Sequence, residues 1–198
     1  QKALDESAEW AKEQGCQYHL TGDKRPLMLC FENKGSEKLT VDDTSLTLCG
    51  EPIEVADDVT ILGLNIVTGR TGCTPEECKL IKLFGYVLRP NISVIKTLAY
   101  RIRSVAFEVT PKMRQMMAAS QLGGKLRFAA SLIYLRSTEE ALKKLRFYQG
   151  LAAASVCGLS AYEVLGASCC KYQSISCSNE QYLKLLDFCN LPTVRDMA

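Results

Sequence analysis

Between residues 74 and 140 the sequence writes the opening of a helix three times, and that repetition limits the fold more than any other feature. Thr74-Pro75-Glu76-Glu77 supplies an N-cap, a proline at the first helical position and an acidic first turn. Thr110-Pro111 repeats the signal ahead of KMRQMMAASQLGGKLRFAASLIY, and Ser137 or Thr138 caps the run that starts with Glu139-Glu140. Between the first two, Pro90 ends the helix begun at Thr74. Ile92, Ile95, Leu98, Ala99, Ile102, Val105 and Ala106 then recur as one helical stripe, with Lys96, Arg101 and Arg103 on the other face. Met113, Met116 and Met117 read as core filling, and Gly123-Gly124 as a kink or a close helix crossing. SAYEVLGASC is a short segment, CKYQSISCSN is loop-like, and EQYLKLLDFCN is a final short helix. Residues 71–198 are therefore expected to form a helical bundle.

The first 70 residues have a different rhythm. LDESAEWAKEQG carries Leu4, Ala8 and Ala11 at helical spacing and ends on Gly15, a C-cap glycine. LMLCF is a short strand after the TGDKRP turn. LTVDDTSLTLCGEPIEV reads as two strands around a Cys-Gly turn, and ADDVTILGLNI as one more. Gly63 in the middle of VTILGLNI marks a bulge, or a place where another backbone or a ligand comes close. The expected fold is α+β with segregated layers: a helix and a small antiparallel sheet of three or four strands over 1–70, then the bundle over 71–198.

Charge separates the same regions. The chain has 24 basic and 22 acidic side chains, net +2. Residues 1–95 hold 10 basic and 15 acidic groups; 96–148 hold 11 and 3, net +8; 149–198 hold 3 and 4. A basic block on helices is either a phosphate-binding surface or a solvated face. The ten cysteines include no CxxC pair, and His19 is the only histidine, so the spacing of a zinc site is missing. Cys16, Cys30, Cys49, Cys157 and Cys189 lie in apolar contexts and are expected to be small buried hydrophobes. Reduced cysteines in an intracellular protein, in cytoplasm and nucleus, are the expectation. No apolar run reaches the roughly 18 residues of a membrane span, no signal-peptide pattern is legible, and the chain opens on Gln1 inside a helical pattern, which suggests a fragment or a processed product.

Taken in order, these segments resemble the C-terminal part of a reverse transcriptase of the non-LTR retrotransposon type, almost end to end. LDESAEWAKEQG resembles the palm helix after the catalytic strands. HLTGDKRPLML resembles the family's Leu-Asn-Pro-x-Lys-Thr-x-x-Met turn and strand, with Leu20, Lys24 and Met28 on matching positions. LTLCGEPIEVADDVTILGLNI resembles the strands that end in Tyr-Leu-Gly-Val. KTLAYRIRSVAFEVTPKMRQMMAASQLGGKLRFAASLIY is similar to the thumb, and YLKLLDFCNLPTVRDMA to the closing Leu-Pro segment. The sequence departs from the pattern at Ile61, where an aromatic is usual, at Thr21-Gly22 in place of Asn-Pro, and at Arg25 in place of Thr.

The resemblance implies a palm end over 1–70 and a thumb-like bundle over 71–198, binding an RNA template and a DNA primer beside an N-terminal fingers and palm portion, with no membrane partner. It implies a primer grip at Leu62, Gly63 and Leu64, where a glycine lets backbone lie against the primer's sugar-phosphate chain; a simple β-bulge is the alternative. It places Lys24 near the incoming triphosphate. It makes Lys96, Arg101, Arg103, Lys112, Arg114, Lys125 and Arg127 the candidates for phosphate contact, too many for one face. No Tyr-x-Asp-Asp occurs; Asp42-Asp43 and Asp57-Asp58 read as turn residues and a strand entry. The expectation is thus no catalytic residue and no cofactor in this chain, Mg2+ in the complete polymerase, and no activity alone. The alternative is a domesticated retroelement-derived interaction or structural module.

Overall fold

The structure, a computed structural model, describes residues 1–198 apart from Thr21, Asp23, Lys24, 31–45, Leu62, Gly63, Arg70, Ala106, Phe107, Phe128, Ala129 and Ala198. It is mixed α and β, with small sheets and mostly short helices, and it falls into two units, Gln1–Val87 and Leu88–Ala198.

The first unit opens with α1, Lys2–Glu13. Its end is set by Gly15 in the left-handed region (φ 69°). The Cys16 amide donates to Ala11 O (2.8 Å) and the Gly15 amide to Lys12 O (3.1 Å), the paired bonds of a Schellman motif. The Gln1 side chain pairs with the backbone of Thr47, accepting from its amide (2.9 Å) and donating to its carbonyl (3.0 Å). Strands β1 (Leu27–Leu29) and β4 (Glu54–Ala56) pair in parallel, Leu27 opposite Glu54, with Arg25 in an ion pair with Glu54. The all-antiparallel sheet expected from sequence is therefore corrected. Between them, β2 (Thr47–Leu48) and β3 (Glu51–Pro52) form the expected hairpin around Cys49-Gly50. Both turn residues have positive φ, 54° and 85°, as a type I′ turn requires.

VTILGLNI is not one strand. β5 (Asp58–Ile61) and β6 (Leu64–Val67) are two antiparallel strands, with Asp58 opposite Val67 and Ile61 opposite Leu64. At the far end the Asp57 carbonyl accepts from the amides of Thr68 (2.8 Å) and Gly69 (3.0 Å) and from the Thr68 hydroxyl (3.2 Å). A side chain at Gly69 would overlap the Asp57 carboxyl, which is why glycine stands there.

Helix α2, Pro75–Phe84, begins at Thr74 with a full capping box: Thr74 Oγ1 accepts from the Glu77 amide (3.2 Å) and the Glu77 carboxylate from the Thr74 amide (2.9 Å). Gly85 (φ 82°) ends it. The helix expected to run to Pro90 stops there, and Val87–Pro90 is strand β7; a four-residue apolar run carries no period that separates the two. Val67, Ile81 and Val87 form a small buried cluster with Cys73 and Leu80 at its edge.

The second unit is helical: α3 (Ile92–Ser104), α4 (Pro111–Met117), α5 (Gly123–Arg127), α6 (Ala130–Arg136), α7 (Glu139–Val156), α8 (Ala161–Leu165), α9 (Ala167–Tyr172) and α10 (Glu180–Phe188). Asn91, Thr110 and Thr138 cap α3, α4 and α7. Ser137, the alternative cap, instead donates its hydroxyl to Leu88 O (2.8 Å). Every residue of α7 from Leu145 to Val156 is buried, the mark of a helix surrounded by others. At Gly150 a Cβ would meet Leu165, Ile175 and Tyr182 at 3.1–3.3 Å, so the missing side chain lets α8, α10 and the 175 segment close on α7. Between α4 and α5, Ala118–Leu122 is wound as a π-helix, at the place where the glycine pair suggested a kink. Met113 and Met116, read as core filling, are exposed (53% and 62%). Of the cysteines expected inside, Cys30 and Cys189 are buried, Cys157 is half-buried, and Cys16 and Cys49 are exposed. Among the described residues no helix is long and apolar enough to cross a membrane.

Candidate nucleic-acid interface

Helix α3 presents its Ile95, Ala99 and Ile102 side inward, packed along α7. At 100° per residue, Lys96 and Arg103, seven positions apart, point within about 20° of each other, and Arg101 points about 140° away from Lys96. All three are exposed. Tyr100 lies between Lys96 and Arg103, exposed (39%) and touching Tyr148 with ring centroids 6.4 Å apart. Lys96, Tyr100 and Arg103 thus form one stripe of cation, ring and cation beside the buried face. Arg103 also reaches the field of Cys170 on α9. Burial and the adjacent Cys169 push that thiol up, and Arg103 draws it part of the way back.

Lys112 at the start of α4 and Lys125 and Arg127 on α5 are exposed as well. Lys125 and Arg127, two positions apart, face nearly opposite sides of their helix. None of Lys96, Arg101, Arg103, Lys112, Lys125 and Arg127 forms an ion pair with a described residue. These six cations of one unit are exposed and have no ion-pair partner among the described residues.

Arg114 differs from them. It is 7% exposed, and its Nη1 donates to the Ser155 carbonyl at 2.6 Å. Helix α7 has no basic residue in its own last turn. The guanidinium of α4 supplies the positive charge that a helix C-terminus favours. Here the side chain holds the fold and faces no solvent-borne phosphate.

In the first unit, Leu64 opens β6, half-buried and opposite the exposed Ile61. Lys24, Leu62 and Gly63 lie outside the described residues. Asp58 accepts from Asn65 Nδ2 (3.0 Å), and among the described residues no group of three His, Cys, Asp or Glu side chains is placed to hold a metal ion.

Two features escaped the sequence reading. Tyr100 could have been found from its i+4 and i−3 spacing to Lys96 and Arg103. The other is a cavity of about 480 Å³ in the second unit, bordered by Tyr134, Arg146, Ser178, Tyr182 and Arg195. Two of its polar groups are already committed to the protein. Arg146 Nη1 pairs with Glu139 at 2.7 Å, and the Tyr182 hydroxyl donates to Gln149 Oε1 at 2.6 Å. No protein-family model, no curated protein and no solved structure matches this chain.

Proposed function

We propose that the chain is the closing part of the palm and the thumb-like bundle of an RNA-directed DNA polymerase of the non-LTR retrotransposon type, and that its second unit holds the primer–template duplex by its phosphates. The observation that carries this reading is the set of six exposed cations, without an ion pair to any described residue, within a block of net charge +8. Contacts of that kind fix a duplex in place and read no bases. The Lys96–Tyr100–Arg103 stripe is its best-ordered part. On the same reading Leu62, Gly63 and Leu64 lie against the primer backbone and Lys24 faces the incoming triphosphate. Two-metal phosphoryl transfer needs carboxylates converging on a site roughly 4 Å across, and the described residues do not fit that requirement. No step through Mg2+ is assigned to this chain, and alone it is expected to be inactive.

The test is binding of a fluorescent 20-base-pair RNA–DNA hybrid, followed by anisotropy across a salt series. Neutralising about six phosphates gives a slope of log affinity against log salt of about −4 to −5. Charge reversal at Arg101 and Arg103 is expected to flatten the slope and weaken binding at low salt. Unchanged binding in that variant makes the basic block a solubilising surface. A second reading, a retroelement-derived interaction module, is favoured by the exposed Met113, Met116, Leu132 and Leu135 on α4 and α6. It predicts no salt-dependent affinity for the hybrid.

A further inference from the structure

We propose that Cys157 and Cys189 form an oxidation site, in which a hydroperoxide converts the two thiols to an intramolecular disulfide that fastens α10 to the central helix α7. Their sulfurs lie 3.4 Å apart. Cys157 is the C-cap of α7 and Cys189 the C-cap of α10. Both backbones are held. The Cys157 amide donates to Ala153 O (3.2 Å), the Cys189 amide to Leu185 O (3.1 Å), and the Cys189 carbonyl accepts from Gln115 Nε2 (2.8 Å). The sulfurs have little more than 1 Å to close to reach the ~2.05 Å of an S–S bond.

Exposure orders the steps. Cys157 is half-buried and Cys189 buried, its Sγ also 3.4 Å from Ala153 O. Peroxide reaches Cys157 first. The sulfur takes the terminal oxygen, an S–O bond forms, the O–O bond breaks, and water leaves with the thiol proton. The Cys189 sulfur then attacks the Cys157 sulfur. An S–S bond forms, the S–O bond breaks, and hydroxide leaves as water with the Cys189 proton. The two thiols together lose two electrons and two protons, and one hydrogen peroxide becomes two waters. A dithiol reductant reverses the change. Burial and the bond to Cys157 push the Cys189 thiol up, which leaves Cys157, the more exposed of the two, as the sulfur that oxidises first. Cys16, Cys49 and Cys177 are exposed and serve as internal controls for ordinary thiol oxidation.

The experiment treats the full, folded chain with a few equivalents of hydrogen peroxide, blocks the remaining thiols, and maps peptides without reduction. Trypsin together with a glutamate-specific protease separates Cys157 from Cys169 and Cys170. The expected product is the Cys157–Cys189 peptide pair, lighter by two hydrogens and restored by dithiothreitol. In Cys189→Ser, dimedone is expected to label Cys157; in Cys157→Ser the crosslink disappears. The oxidised chain is expected to melt at least about 5 °C higher than the reduced one. The proposal is overturned if Cys157 ends as sulfinic acid while Cys189 stays alkylatable in the unfolded chain. A crosslink that joins Cys189 to another cysteine overturns it equally. Should a serine variant fail to fold by circular dichroism, the peptide map of the unaltered chain decides alone.

Discussion

Ile81 and Leu145 are both fully buried helical residues, yet they sit in cores of different kinds. Around Ile81 the cluster is Val67, Val87 and the edges of Cys73 and Leu80. The first unit is shaped chiefly by backbone devices: the Schellman bonds at Gly15, the positive-φ turn at Cys49-Gly50, the triple acceptance by the Asp57 carbonyl and the Thr74 capping box. Leu145 belongs to a helix buried for three turns, and the second unit is organised by what packs on that helix. Polar side chains there serve the packing. Gln149 accepts from Tyr182 and donates to Pro192 O (2.7 Å), and the Tyr148 hydroxyl donates to Gln173 (2.7 Å). One unit depends on local geometry, the other on a shared interior.

The contrast can be broken first by truncation. Tyr182→Ala removes a buried ring and leaves Gln149 Oε1 without its donor, for a loss of about 3–5 kcal/mol; Ile81→Ala in the smaller cluster is expected to cost about 2–4 kcal/mol. Urea denaturation gives the totals, and hydrogen exchange shows which amides open. An Ile81 variant that loses more than the Tyr182 variant would mean the first unit has the stronger core. Next is Arg114→Met, expected to lose about 2–3 kcal/mol, because a buried carbonyl is deprived of a charged donor, with hybrid binding by the folded variant unchanged. A drop in binding without a drop in stability would move Arg114 into the interface.

An alkaline titration sharpens the comparison further. Burial raises Tyr182 well above its ordinary 10.0, and Cys189 rises from 9.0 to about 12. Unfolding lets both ionise earlier, so their contribution is fully present below pH 9 and declines as pH climbs toward 12. Denaturation of the reduced chain between pH 7 and 10.5 is expected to show falling stability, and Cys189→Ala to flatten the fall. Least is Thr74→Ala, about 1 kcal/mol from a lost cap, read as weaker amide protection at the start of α2.

What the sequence disclosed follows the same division. Caps and turns were legible because each is a local bargain between neighbours: Thr74 with Glu77, Thr110 with Met113, Cys49 with Gly50. Partners distant in sequence were not. Nothing in VTILGLNI says that Ile61 will face Leu64, and nothing in LML says that its partner is EVA, aligned in parallel. Val87-Leu88 was too short to show a period. Arg114 looked like its neighbours on α4 until Ser155, 41 positions later, claimed it. Of the candidate site, the chemical type of the surface was readable as a charge excess, but the sorting of its cations needed helix phases and burial. Cys157 and Cys189, 32 positions apart, read as inert apolar residues.

The π-wound stretch of α4–α5 carries a consequence of its own. Ala118, Leu122 and Leu126 are all buried, a strict interval of four, whereas an α-helix turns every 3.6 residues. Left uncorrected, that mismatch advances the inward line about 40° at each interval. The wider winding of Ala118–Leu122 absorbs part of the drift, so it behaves as slack in the thread. Shortening it by one amino acid should let the segment tighten into plain α with Leu126 still directed inward, whereas the same deletion in α7 would rotate a fully enclosed rod against every neighbour.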